Sequence, residues 1–218
     1  MAIIDGLTTL ASVKAELQIS DTSQDTLLEA LINANSALIN NYLKRTLKRT
    51  THSTEPYAVN NMLNLYLLEY PIQSVSEVKL AGAVLLVNDG FFLSSLDAEA
   101  GRLYRLQGWS SRYLTRGTFP DVFAGMRDIT VSYVSGYLLP ADSGYVQGAA
   151  DSLPVAIQFA CNRAVCERYR QVEAQQDGLE SLSEGQLSYK WRNITRNGSG
   201  LSDIVEGMLT NYKRVYVA

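Results

Sequence analysis

Between Thr22 and Arg45, apolar residues fall at Leu27, Leu28, Leu31, Ile32, Leu38, Ile39, Tyr42 and Leu43. This three- and four-residue spacing lines one broad face of an α-helix. At ~1.5 Å per residue such a helix is about 36 Å long, enough to span a small domain. Thr22 with Asp25 predicts a capping box at its start, and Lys44 with Arg45 puts cations at its carbonyl end. The opposite face carries Asn33, Asn35, Ser36, Asn40 and Asn41. Those small amides and the hydroxyl read first as an ordinary hydrated surface, and second as a face for hydrogen bonding to a neighbouring subunit. Ahead of this element, Leu10, Val13 and Leu17 predict a shorter helix over Thr9 to Leu17. The link Gln18 to Asp21 is short enough to pack the two helices as a hairpin.

After Arg45 the period becomes two. Thr46 to Tyr57 is rich in Thr and Ser without helical spacing, and Leu63, Leu65 and Leu67 alternate as in a half-buried strand. Further strands are predicted at Glu77 to Leu80, Ala83 to Val87, Phe91 to Ser94, Arg102 to Leu106 and Asp128 to Val134, separated by turns at Ala81-Gly82, Asn88 to Gly90 and Asp97 to Gly101. Ser152-Leu153-Pro154 then opens a second long helix, Pro being at home in the first helical position. Its apolar residues Val155, Ile157, Phe159, Cys161, Val165, Tyr169 and Val172 wrap widely, predicting burial on more than one side and packing against the first long helix. A short strand is expected over Gln186 to Trp191, and a final helix carries Leu201, Ile204, Val205, Met208, Leu209 and Tyr212, capped by Ser202. The predicted class is α+β. A helical core of two long antiparallel helices with short N- and C-terminal helices, residues 1–45 and 140–218, carries an inserted small antiparallel β domain, residues 46–139.

Composition narrows the function. The net charge of −3 lacks the broad basic surface that coating nucleic acid requires. No apolar run approaches the ~20 residues of a membrane span, and Met1 to Leu7 lacks the basic-then-apolar order of a signal peptide, so a soluble cytosolic chain is expected. Cys161 and Cys166 stand about 140° apart around one helix, which predicts two separate buried thiols rather than a disulfide or a metal pair. His52 is the sole histidine. Histidine metal cages and catalytic triads therefore lack material, no P-loop or dinucleotide glycine turn is present, and the carboxylates Asp97 and Glu99 read as solvated turn residues. Neither enzyme activity nor a metal or cofactor is expected.

One electrostatic feature stands out, Arg102 to Arg116, where Arg102, Arg105, Arg112 and Arg116 interleave with Tyr104, Trp109 and Tyr113 without an acid. Arginine with aromatics is what protein interfaces prefer. The same set suits an alternating strand face, or a grip on phosphates, bases or sugars. The last option defines a competing class, a carbohydrate- or nucleic-acid-binding module centred on Trp109.

In this order the chain resembles the head-tail connector proteins of tailed bacteriophages, the head-completion adaptors, in their longer form with a β insertion. Val13 to Leu17 followed by Asp21 to Tyr42 is similar to the family's opening helix pair. Tyr70 to Val75, Gly101 to Leu106 and Ile129 to Tyr133 followed by Gly136-Tyr137 resemble the β insertion, while Leu153-Pro154, Glu180 to Tyr189 and Leu209 to Arg214 resemble the closing half. The resemblance implies a structural virion protein, assembled in the bacterial cytoplasm into a ring, typically dodecameric, below the portal protein. Such a ring extends the DNA channel, passes DNA without sequence-specific binding and receives the stopper or tail-completion protein. A stopper role is the nearest alternative. By position, the portal contact falls on Tyr212, Lys213, Arg214, Val215, Tyr216 and Val217. Here the chain departs from a Pro-Tyr-Arg-Arg ending, carrying Asn211 to Arg214 and then four further residues.

Overall fold

A computed structural model describes residues 2–58, 62–109, 128–173, 181–184, 187–190 and 198–213, the two segments between 181 and 190 by backbone alone. The chain is mixed helix and antiparallel sheet, an α+β protein. It divides into two compact units, Met1–Arg45 with Leu138–Ala218, and Thr46–Tyr137.

In the helical unit, α1 (Leu10–Leu17) starts on Thr9, whose hydroxyl accepts the Ser12 N–H, and ends on Gln18 in the left-handed conformation. Next comes α2 (Asp25–Leu43), which buries Leu28, Ile32, Asn35, Ser36, Ile39 and Leu43 along one stripe. The expected capping box at Thr22 does not form, and Gln24 occupies the N-cap without a side-chain bond. Asp25 is taken instead by Lys14, whose Nζ donates to its Oδ1 at 2.7 Å and so ties α1 to the start of α2. The second long helix, α4 (Val155–Glu173), packs against α1, α2 and α5 (Asp203–Leu209). It buries Ile157, Ala160, Cys161, Asn162, Ala164, Val165, Cys166 and Tyr169. Three residues expected inside are not: Val155, Phe159 and Val172 are exposed. Ser202 caps α5 by accepting the Val205 N–H, as its position predicted. A one-turn 3-10 segment, Thr210–Tyr212, follows. The strands β7 (Ser181–Glu184) and β8 (Leu187–Lys190) pair antiparallel.

The amide face of α2 points largely inward. Asn33 Oδ1 accepts the Ile4 N–H at 2.8 Å while its Nδ2 donates to Ala2 O at 3.0 Å. The Ser36 hydroxyl accepts the Leu7 N–H at 3.1 Å, and Asn35 donates to Leu31 O one turn back. These groups hold residues 2–7 along the helix, with Leu7 fully buried. Gly6 permits the approach, because a Cβ there would meet Ile3 Cγ2 at 2.4 Å and Ile32 Cγ2 at 3.2 Å. Asn162 of α4 makes the same kind of tie: Thr8 donates to its Oδ1, and its Nδ2 donates to Ser12 Oγ at 2.7 Å.

The second unit is built on a four-stranded antiparallel sheet in the order β1-β6-β3-β4, from β1 (Thr50–Tyr57), β3 (Ile72–Leu80), β4 (Ala83–Leu85) and β6 (Ile129–Ser135). Central β6 buries Ile129, Val131, Tyr133 and Ser135 and leaves the alternate residues half-buried. Edge strand β1 is interrupted by a bulge between His52 and Glu55, where Thr54 takes φ +49° and donates to Ser132 Oγ at 3.0 Å. A bulge and Pro56 on an outer strand both discourage pairing with a further strand. A smaller ladder joins β2 (Asn64–Tyr66) to β5 (Arg102–Tyr104). Of the strand expected over Phe91 to Ser94, the structure retains single bridges at Phe91 and Phe92. The expected turn from Asp97 is α3 (Ser95–Glu99), opened by a capping box between Ser94 and Asp97. Gly136 closes the unit at φ +87°, where a Cβ would lie 2.4 Å from Lys48 O.

Candidate interaction surfaces

The arginine and aromatic stretch does not assemble as its sequence suggests. Trp109 is fully buried among Leu65, Leu103, Val78 and other core residues of the β unit. Its indole N–H is shared between Leu63 O and Leu103 O, each at 3.2 Å. It is core, and offers no stacking platform. Arg105 is half-buried, donating from Nε to Gly90 O at 3.2 Å and from Nη1 to Gly108 O. Arg102 donates from Nε to Asp97 Oδ1 at 2.6 Å, and its Nη2 reaches the same oxygen. Arg112, Tyr113 and Arg116 lie outside the described residues.

Asp97, expected to be solvated, is buried. Its Oδ2 accepts the Ser94 hydroxyl at 2.6 Å and the Ser94 N–H at 3.3 Å. Those bonds from Ser94, with Arg102 beside them, hold the carboxyl below its usual range, so it stays a fixed anion. Arg102 is therefore neutralised and oriented. With it on the outer side of the small ladder lie Tyr104, Tyr66 and Phe92: Tyr66 faces Arg102 in register, Phe92 bridges Tyr104, and the two rings sit 6.2 Å apart. Tyr66 and Phe92 are exposed. Sequence reading missed both, since they come from segments 26 residues apart; the odd-even position of Tyr66 beside buried Leu65 and Leu67 was the available signal.

A polar cluster lies under the main sheet. Glu55 Oε2 accepts both the Tyr57 and the Tyr133 hydroxyl at 2.6 Å, and the two hydroxyls stand 3.3 Å apart. They in turn accept the Leu68 and Glu69 N–H groups. Burial, then the bonds to Glu55, push both tyrosines well above the ordinary phenol range. His52 stacks on Tyr133 at 4.6 Å between centroids, and its Nε2 lies 2.9 Å from Ser135 Oγ. That pair has the outline of a nucleophile and base, but Ser135 is buried, so no substrate reaches it. The cluster pins the 68–69 segment to the sheet.

Among the described residues no group of three or more His, Cys, Asp or Glu is placed to hold a metal. No helix there is long and apolar enough to cross a membrane. Cys161 and Cys166 are separate buried thiols, pushed up to about 12 and about 11 by burial, hence inert as nucleophiles. A crevice of about 10 Å³ between α4 and Ser202, lined by Asn35, Glu167, Arg168 and Gln171, has room for about one water. Of the C-terminal candidates, Tyr212 is half-buried and Lys213 exposed, its Nζ 4.6 Å above the Tyr42 ring. Arg214, Val215, Tyr216 and Val217 lie outside the described residues.

The profile of the family described as head completion protein matches residues 6–115, which run from the buried N-terminal segment through both opening helices and past β5. The chain belongs to that family. No curated protein matches this head completion protein. Among solved structures it is similar to chains of the neck of an empty GTA particle (TM-score 0.48, 15% identity, covering 100% of this chain and 95% of that one) and of a native GTA particle neck (0.48, 13%, 100% and 94%). A chain of the virion of a native gene transfer agent particle gives 0.47 at 13% identity, covering 100% and 95%. Membership makes this head completion protein a structural component of the bacteriophage head-tail connection.

Proposed function

We propose that this head completion protein is an adaptor that closes into a ring, a dodecamer, below the portal, extends the DNA channel and receives the stopper or tail. The helical unit forms the ring body and the β unit is an insertion carried on it. The observation that carries this reading is the family match over residues 6–115. Three features support it. The ionisable groups described above serve internal ties, as in Glu55 with its two tyrosines and Asp97 with Arg102. Large apolar side chains remain exposed on both units, among them Phe159 and Val155 on α4 and Leu86 and Leu106 in the β unit, as expected of a subunit completed by neighbours. The mildly acidic charge suits a channel that DNA traverses without sticking.

On this reading Tyr212 to Val217 engage the portal, and assembly takes place in the bacterial host cytoplasm. The test is portal capture: the full chain and one truncated after Asn211 are mixed with purified portal and imaged by negative stain. Decorated portals with the full chain and bare portals with the truncated one are expected. Tailed, DNA-filled particles assembled from a virus lacking this gene would refute the adaptor role.

A further inference from the structure

The end of the helical unit is tied to two different helices. With Val205 and Leu209 buried, α5 packs on α4, and the Thr210 hydroxyl donates to Glu206 O at 2.9 Å where the helix tightens into its 3-10 turn. At Lys213 the backbone turns extended, φ −67° and ψ 136°, and its N–H makes one long bond to Thr210 O at 3.3 Å. Backbone bonding alone holds this exit weakly. The side chain adds a second tie: Lys213 Nζ stands 4.6 Å from the centroid of the Tyr42 ring, over the last turn of α2. One turn earlier on α2, Leu38 faces the other end of the same segment, since a Cβ on Gly200 would lie 3.6 Å from its Cδ2. The stretch from Gly200 to Lys213 thus meets α2 at both ends. Lys213 is exposed and Tyr42 half-buried, so the ammonium stays in water while the ring gives it a fixed place.

We propose that Tyr42 is a positioning residue for the portal contact: by holding the Lys213 ammonium over its ring, it fixes the direction in which the chain leaves the helical unit toward residues 214–217. An ammonium above an aromatic face is attracted by the ring quadrupole, and the attraction survives at exposed sites. Every residue left free must be ordered when a partner binds, and a segment whose departure is already fixed loses less freedom on binding. Tyr42 therefore acts on the portal through Lys213, without touching it. The inference rests on the portal reading of Tyr212 to Val217. It deepens that reading by turning Lys213 inward, to Tyr42, and leaving the contact itself to the residues beyond.

The test is titration of the full chain onto immobilised purified portal, read by biolayer interferometry as the half-saturating concentration. Tyr42→Leu keeps bulk without the ring, and Lys213→Met keeps length without the charge. Each is expected to bind about two- to fivefold more weakly, the range that an exposed cation over a ring supplies. Tyr42→Phe keeps the ring and Lys213→Arg the cation, and both should bind as wild type does. The double variant Tyr42→Leu, Lys213→Met should lose no more than either single one, because the pair acts as a unit. Additive losses overturn the proposal, by showing Lys213 at work on the portal by itself. A Phe variant as weak as the Leu variant overturns it, as do Leu and Met variants that bind like wild type. Lys213 is exposed, so Lys213→Met should melt with wild type and carries the test even where Tyr42→Leu is less stable. The chain truncated after Asn211, titrated beside them, separates the failures. A wild type that fails to bind, or truncation without loss, removes the portal contact and the positioning with it, whereas loss on truncation with unaffected substitutions removes the positioning alone.

Discussion

Trp109 decides between two readings of the β unit, and replacing it with Ala measures the difference. The indole is fully buried in the apolar core of that unit. Burying an aromatic side chain removes about 150–250 Å² from water, about 4–6 kcal/mol at 25 cal/mol per Å². The unfolded chain already hides part of that area, so about 3–5 kcal/mol is the expected loss. This is about a fifth or more of an ordinary domain's stability. Trp109→Phe keeps most of the area and loses the N–H. Leu63 O retains its bond from the Arg105 N–H, while Leu103 O loses the indole donor, so about 1–2 kcal/mol is expected. Urea unfolding followed by far-ultraviolet circular dichroism reads both. The midpoint should fall in the order wild type, Phe, Ala with little change in slope. An Ala variant as stable as wild type but unable to bind a ligand or partner would return Trp109 to the surface and refute the packing described here.

Glu55→Gln leaves one carbonyl oxygen for two buried hydroxyls and should cost about 1–3 kcal/mol by the same unfolding assay. The raised tyrosines set an alkaline limit: a folded pKa above the unfolded 10 gives stability that is complete below pH 10 and lost as pH rises beyond it. The melting temperature should therefore hold to about pH 9 and fall above 10, with Tyr57 and Tyr133 titrating at 295 nm only on unfolding, and Tyr57→Phe should flatten the fall. Asp97 has the opposite sign. Its lowered pKa contributes above the unfolded value near 3.8 and is lost as pH falls through the folded one, so Asp97→Asn should remove part of the acid sensitivity of the melting temperature. Gly136→Ala, at φ +87° and against Lys48 O, should cost more than about 1 kcal/mol, read as a lower melting temperature.

What the sequence made legible follows from how each element meets water. Strand β6 alternates because one face is core and the other half-wet, and α2 shows its stripe for the same reason. Strand β1 was not visible, because an edge strand with exposed Thr50, Thr51 and Ser53, a bulge and Pro56 has almost no apolar face to alternate. Among the described residues, two segments carry a hydroxyl three residues before an aspartate, Thr22 with Asp25 and Ser94 with Asp97. At Ser94 the box forms, whereas at Thr22 the partner Asp25 is claimed by Lys14 from another helix. Local pattern is identical in kind, and a tertiary cation decides. Its arginine neighbours make Trp109 an interface candidate, yet its burial is set by core residues distant in sequence, such as Leu65, Val78 and Val131. The amides of α2 faced the same difficulty, since nothing local announces that residues 2–7 fold back onto them.

These corrections share a direction. Polar groups that looked available, the α2 amides, Asp97, Arg102 and Arg105, are committed to ties within the chain, while Val155 and Phe159, expected inside, stand exposed one turn apart on α4. Committed polar groups fix shape, and exposed apolar ones cost a lone protein solubility unless something covers them. A protein of this kind gains from association through apolar contact rather than through ion pairs. Its assembly should therefore tolerate salt: raising ionic strength from 0.05 to 0.5 M should leave self-association, measured by sedimentation, intact or slightly stronger, since screening weakens exposed charge pairs and leaves apolar burial untouched. Dissociation by salt would place the contacts on charges and overturn this view.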